Sequence, residues 1–274
     1  MVHEAAGRRS RRRDTPTGIP PLSEAYAHCR AVVAARAKNF SYAFLLLPPA
    51  RRRGLEAIYA YCRIADDFAD DDGLAPAERA RRLADLRARL RVALPRDGEF
   101  GHPSDDRELD LLMTALRDTA LAYGVSRDDL DCVAIGCEQD ITVTRYATWA
   151  DLRGYCYLVA SAVGLACLPV FGVKGDEATA RPYAVDLGLA MQLTNIIRDV
   201  SEDLARDRVY LPQDELQRFG VSEAQMREGR VDAAWRTFCA FQVQRARDLF
   251  AQGDRLALFV RRRSRVCPLA LSAL

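Results

Sequence analysis

Two stretches of this chain set acids into apolar helical patterns at a spacing that lines them up. "AIYAYCRIADDFADD" (57–71) carries Asp66 and Asp70 four residues apart. "LGLAMQLTNIIRDVSED" (187–203) carries Asn195, Asp199 and Asp203 at the same interval, with Gln192 about a turn earlier. On a helix, side chains at i and i+4 share a face and lie about 6 Å apart along the axis. Unpaired carboxylates within apolar surroundings are costly and require cations. A chain with two such stripes is therefore expected to turn them toward each other around shared positive charge.

The ligand chemistry narrows that charge. Asp66, Asp70, Asn195, Asp199 and Asp203 offer only oxygen, with no His or Cys among them, which suits a hard divalent cation. Mg²⁺ fits best because it keeps waters and shares phosphate oxygens, with Mn²⁺ as a substitute. Facing stripes would form a cage for several ions bridged by a diphosphate. Arg63, Arg198 and Arg208 flank the stripes, and the rigid guanidinium fork matches phosphate oxygens. The simpler reading is that each acid pairs with a local arginine on a solvated face. That reading is preferred for Asp71, Asp72 and Glu202, and rejected for the five spaced ligands.

The rest of the chain reads as helix. Of 274 residues, 49% are apolar, enough for a large core. Helices are predicted from Leu22, with Ser23 as N-cap, then after Pro48-Pro49, over 76–94, and around 107–123, 127–144, 149–172, 178–204, 212–219, 222–228 and 231–259. Residues 1–20 read as a disordered basic arm and 21–274 as one all-α domain. Lys and Arg number 40 against 38 Asp and Glu, a balance that excludes a general nucleic-acid binder. Basic runs stand at 7–13 ("GRRSRRR") and 261–265 ("RRRSR"). Eight cysteines without a C-x-x-C pair or a signal peptide read as reduced thiols in a cytoplasmic protein. Three scattered histidines argue against a zinc site. No apolar run reaches the ~20 residues of a membrane span.

Four stretches resemble the squalene/phytoene synthase family, in family order: "KNFSYAFLLLPPARR", "AIYAYCRIADDFADD", "YCYLVASAVGLACLPVFG" and "LGLAMQLTNIIRDVSEDLARDRVYLPQDEL". The resemblance implies an isoprenoid synthase (prenyltransferase) helical fold around a central cavity. It implies Mg²⁺-dependent head-to-head (1′–1) condensation of two farnesyl or two geranylgeranyl diphosphates. A cyclopropylcarbinyl diphosphate would then rearrange to phytoene, or to squalene when NADPH supplies hydride.

Carried over by position, the aspartate motifs fall on Asp66 and Asp70 and on Asn195, Asp199 and Asp203. The diphosphate-binding arginines fall on Arg63 and Arg198, with Arg208 and Tyr210 in the adjoining motif. Tyr59 and Tyr155 match pocket tyrosines, Gln192 the glutamine before the Asn, and Asp140 an acid facing the site. Val159, Ala160 and Gly164 match small residues that let the substrate tail pass. Read alone, Tyr59 and Tyr155 would be plain core residues and the small residues close helix packing. Asn39 stands where a polar phosphate contact is common, beside Phe40, and Ala37 replaces a hydroxyl residue. Phe44 would shorten the tunnel, which favours the shorter substrate. The ending "RVCPLALSAL" stops before a last helix that the family carries.

A chain-elongating prenyltransferase or a terpene cyclase uses similar chemistry, but "YCYLVASAVGL" and "RVYLPQDEL" argue against both. A non-catalytic scaffold would be expected to lose metal ligands, and all five are present. The expected partners are a prenyl diphosphate and no nucleic acid, in a monomer or weak dimer. Greasy substrates and the basic runs together suggest peripheral contact with the inner membrane face.

Overall fold

The structure is a computed structural model and describes residues 19–36, 47–95 and 106–261. The basic arm up to residue 18, Asn39, Phe40, Phe44 and the ending after Arg261 lie outside the described residues. The helices are α1 (Leu22–Arg36), α2 (Pro49–Ala69), α3 (Pro76–Ala93), α4 (Arg107–Tyr123), α5 (Arg127–Gln139), α6 (Trp149–Phe171) and α7 (Glu177–Arg198). The shorter α8 (Val200–Ala205), α9 (Gln213–Arg218) and α10 (Glu223–Arg227) precede α11 (Ala233–Gly253) and α12 (Leu256–Phe259). Two isolated bridges, Arg145–Val209 and Val173–Val260, are the only β pairing among the described residues.

Local sequence explains most boundaries. Pro49 and Pro76 open α2 and α3, where a missing N–H costs nothing. Asp106, Ser126, Asp176, Ser222 and Asp232 each accept a backbone N–H at the start of a helix. Thr148 and Asp151 form a reciprocal capping box at the start of α6. Ser23 is not a cap. Helix α1 begins one residue before it, and the Pro21 carbonyl accepts from Glu24 and Ala25.

Three expected helices are shorter than their patterns. The one predicted to run to 144 ends at Gln139, because Asp140 is engaged by tertiary hydrogen bonds. The one predicted over 231–259 divides after Gly253, where a β-carbon would lie 2.8 Å from the Leu187 backbone nitrogen. The one predicted over 178–204 breaks at Asp199, with φ −99° and ψ 14°. Asp70 ends α2 in nearly the same conformation, φ −94° and ψ 5°. The acids of both stripes thus continue past a helix end, and the 195/199/203 ladder is not one straight row.

Helix α6 carries a wide π-turn over Tyr157–Ser161 that its pattern did not reveal. It is also 23 residues long and, by length and composition alone, apolar enough to cross a bilayer, which amends the expectation that no run reaches that length. Half of its apolar window is buried within the protein. It packs against α5 and α7 as a core helix.

The larger apolar core joins α1 to α7, with Leu55, Ile58, Leu112, Leu130 and Leu165 fully enclosed. A second core gathers the start of α6, the end of α7 and α8 to α11 around Phe238 and Leu152. The two cores meet at α6 and α7, the helices that also flank the site.

Candidate active site

An apolar cavity of about 260 Å³ lies among α2, α5, α6 and α7, with Leu256 of α12 closing it. Asp66, Gln192 and Asn195 give it a polar end. Leu55, Phe171 and Ala184 lie toward the other end. Eleven residues separate Leu55 from Asp66 along α2, so the cavity extends about 16 Å from its apolar to its polar end. Asp66 is its one charged lining residue among those described.

Asp66 is open to the cavity, yet protein surrounds it on most sides. That burial pushes its carboxyl up to about 6, against the lowering effect of a hydrogen bond from Cys137 (Sγ–Oδ1, 3.3 Å) and of Arg63. The carboxylates of Asp70 and Asp140 add to the rise. Asp203 is also pushed up to about 6, first by burial and then by the charge of Asp199. Arg208 and Arg206 oppose that rise. Both stripes therefore hold a carboxylate that its surroundings disfavour as an anion.

The arginines divide into two kinds. Arg63 donates to Asp67 one turn on, and Arg198 grips its neighbour Asp199 in a two-point fork of 2.6 and 2.7 Å. Those pairs are the local ones that the simpler reading foresaw. Arg208 instead spans elements. Its Nη1 lies 3.6 Å from Asp70, and its Nη2 donates to the Asp140 carbonyl at 3.1 Å. Arg206 approaches Asp70 at 3.8 Å. A segment following the second stripe is thereby drawn to the end of the first. Asp71 and Asp72 pair with Arg82 and Arg79, each at 3.7 Å, as their reading as solvated acids expects.

Asp140 anchors a separate group. It accepts from the hydroxyls of Tyr155 and Tyr210, both at 2.9 Å. The two rings stack with centroids 5.2 Å apart, and Tyr146 lies against both. Burial raises the carboxyl of Asp140, and the two tyrosines and Arg208 pull it back. Burial and the Asp140 charge hold the Tyr155 and Tyr210 phenols protonated.

Of the residues singled out in the sequence, Tyr59, Asp66, Val159, Ala160, Gly164, Gln192 and Asn195 line the cavity. Tyr155 and Tyr210 do not. They sit in the second core, where the plain packing reading of Tyr155 applies, and reach the site through Asp140 and Arg208. The sequence reading missed Cys62, Cys167, Gly188 and Met191 as lining residues. Cys62, Gly188 and Met191 each precede a named lining residue by four positions, so helical spacing would have found them.

The fit to divalent cations rests on this donor set. No three His, Cys, Asp or Glu side chains converge on one point among the described residues. The donors on the two stripes are all oxygen, and repulsion between carboxylates contributes to the rise at Asp66 and Asp203. The residues thus fit ions that complete their shells with water and phosphate oxygens rather than an ion caged by protein alone.

Comparison with known proteins follows the same lines. The sequence profile described as "Squalene/phytoene synthase" matches residues 33–274. The chain is 39% identical over 254 residues to the 15-cis-phytoene synthase of Synechococcus elongatus, covering 86% of this chain and 77% of that one. It is 38% identical to phytoene synthase 1 of Arabidopsis thaliana, over 88% of this chain and 55% of the other. Among solved structures it is similar to a squalene synthase of Alicyclobacillus acidocaldarius. The TM-score is 0.80 with 28% identity, covering 91% of this chain and 90% of that one. A dehydrosqualene synthase solved with a ligand gives a TM-score of 0.74 at 27% identity, over 89% and 80%.

Proposed function

This chain belongs to the squalene/phytoene synthase family, and from that membership we propose that it joins two geranylgeranyl diphosphates head to head and releases phytoene. The observation that carries the choice of product is the greater identity to phytoene synthases, 39% and 38%, than to the squalene-type structures, 28% and 27%. The cavity supports prenyl transfer of this kind, because its one charged lining residue among those described stands at the end where a diphosphate would sit.

In this reading Asp66 and Asp70 hold cations from one side, and Asn195, Asp199 and Asp203 from the other. Mg²⁺ is the proposed ion. Once bound, it supplies the charge that neutralises a diphosphate and makes it a leaving group. Arg208 stands beside both stripes to bind phosphate oxygens, and Asp140, Tyr155 and Tyr210 fix the backbone it leans on. Arg63 and Arg198 would exchange their local carboxylates for phosphate oxygens. The prenyl tail occupies the apolar wall from Ile58 to Phe171.

When the bond from C1 to the diphosphate oxygen breaks, an allylic cation forms. The apolar wall keeps water from it, and Tyr59 is the aromatic ring that α2 presents to the cavity. The double bond of the second substrate then forms the new carbon–carbon bond. Two diphosphates and two protons leave in all, one proton as the cyclopropane closes and one as the final double bond forms, so phytoene requires no reductant. NADPH would enter only if squalene were the product. The protein is proposed to be cytoplasmic and to meet the inner membrane face peripherally.

The test is product analysis with Mg²⁺ and either geranylgeranyl or farnesyl diphosphate, with and without NADPH. A forty-carbon triene from the longer substrate without NADPH supports the proposal. A thirty-carbon product formed in preference would overturn the choice of substrate. No product from either would overturn the activity.

A further inference from the structure

The cavity's apolar end lies directly beneath a small basic surface. Leu256 lines the cavity and is 5% exposed, while Leu258, two residues on in α12, is 68% exposed. Phe171 also lines the cavity. A β-carbon on the next residue, Gly172, would lie 2.6 Å from Arg51 Nη1 and 3.1 Å from Arg261 Cδ. Arg51 is four residues before Leu55, another lining residue. Three separate elements thus pass from cavity wall to basic surface within four residues.

Backbone bonds fasten these elements together. Lys174 donates to Phe259 at 2.7 Å, and Arg261 donates to Gly172 at 2.9 Å. The cations gathered here are Arg51, Lys174, Arg255 and Arg261. Arg51 donates to the Val170 carbonyl, not to an acid. It also stands in the first turn of α2, a helix with no acid there to offset the positive end of its dipole. The nearby acids are Asp176, Glu177 and Asp254. Asp176 is engaged as the N-cap of α7, and Glu177 lies 3.6 Å from Arg181. Asp254 is exposed beside Arg255. The balance is positive, around a leucine open to solvent.

We propose that this surface, the exposed Leu258 together with Arg51, Lys174, Arg255 and Arg261 on the elements fastened here, docks on an anionic lipid bilayer. Charge complementarity selects the lipid, and Leu258 supplies the apolar contact that a headgroup layer accepts. The docking pose would set the cavity's apolar end against the membrane and its acids toward the cytoplasm. Only that last point, the orientation for tail delivery, rests on the proposed prenyl transfer.

The experiment is flotation of the full-length protein with phosphatidylcholine vesicles, with or without phosphatidylglycerol, at low and high salt. Binding to the anionic vesicles alone is expected, weakening with salt. Arg261→Glu and Leu258→Asp should each lower vesicle affinity about tenfold or more. Arg236→Glu, on an exposed position of α11, should not. Both patch residues are exposed, so thermal melts should match the parent.

Equal weakening by Arg236→Glu would show a mere net-charge effect and overturn the proposal. Unchanged binding by both patch variants would overturn it too, leaving the contact elsewhere. Displacement by inorganic phosphate beyond that by chloride at equal ionic strength would mark a free-anion site instead. Prenyl transfer assayed in detergent is independent of all these outcomes. A protein that floats as expected but makes no product there would refute the activity and leave the docking surface standing.

Discussion

Gly188 of α7 lies so close to Ser161 of α6 that a β-carbon on the glycine would sit 2.5 Å from the Ser161 α-carbon. The wide turn of α6 occupies the space that the missing side chain leaves. The Ser161 hydroxyl donates to the Val185 carbonyl at 2.8 Å, which fixes the turn against α7. On the other side, a β-carbon at Gly136 of α5 would meet Val159 Cγ1 at 2.6 Å. Val159 and Ala160 are presented to the cavity by a turn held between two glycines.

Gly188→Ala should therefore cost about 1–3 kcal/mol, because backbone blocks the new methyl group. It should also depress product formation by moving the cavity wall. Gly154→Ala, also within a helix, has nothing within 4 Å and should stabilise by about 0.4–1 kcal/mol with activity retained. Paired thermal melts and turnover assays check this. Similar behaviour of the two variants would remove the close approach as the cause.

Asp66 separates stability from activity. Its surroundings hold its carboxyl up to about 6, so keeping it charged at neutral pH costs the folded, metal-free protein stability relative to the unfolded chain. Asp66→Asn should leave the metal-free melting temperature unchanged or higher. It should lower prenyl transfer roughly 100-fold or more, about 3 kcal/mol of transition-state stabilisation. Treating the parent enzyme with EDTA should abolish product, and excess Mg²⁺ should restore it. Full activity in EDTA would contradict the assignment of the stripes.

Glu215 gives a pH signature remote from the site. Burial alone would raise its carboxyl, but a two-point ion pair with Arg245 (2.6 and 2.9 Å) and the Gln242 amide (2.7 Å) hold it below its ordinary 4.5. A lowered acid stabilises the fold above its unfolded pKa, and that contribution is lost as pH falls through the folded value. Glu215→Gln should cost about 3 kcal/mol at pH 7 by leaving Arg245 without its partner. The gap between variant and parent should narrow below pH 4.5. Urea titrations at several pH values measure it, and a gap constant with pH would refute the linkage.

Tyr155 and Tyr210 share one acceptor, and that makes them non-additive. Tyr155→Phe or Tyr210→Phe alone should cost about 1 kcal/mol, because Asp140 keeps the other phenol. The double variant leaves the Asp140 carboxylate without either donor and should exceed the sum by about 1 kcal/mol. A double-mutant cycle by chemical denaturation reads this directly. Strict additivity would mean that the two bonds are independent.

Much of this protein was legible in its residues because helical chemistry is local. Four-residue spacing put Asp66 on the cavity and marked Asn195 as its counterpart, and Pro49, Pro76 and the Ser/Thr/Asp caps set helix starts. The all-α class and the family follow from the same patterns, since periodicity and motif spacing lie within single segments. Other features required the tertiary structure, because they depend on what stands opposite. Nothing in "YCYLVASAVGL" announces a wide turn, which exists where Gly136 and Gly188 leave room for it. Nothing in "RDVSED" announces that the helix ends at Asp199 while Arg208 reaches across to Asp70. The family resemblance made Tyr155 a pocket residue while the residue read alone was core, and the fold turned it to Asp140, where a partly buried carboxylate required donors. Sequence alone determined which groups lie along each helix. Packing between helices decided which of them share a cavity, because backbone approach and charge pairing are settled only across the interface.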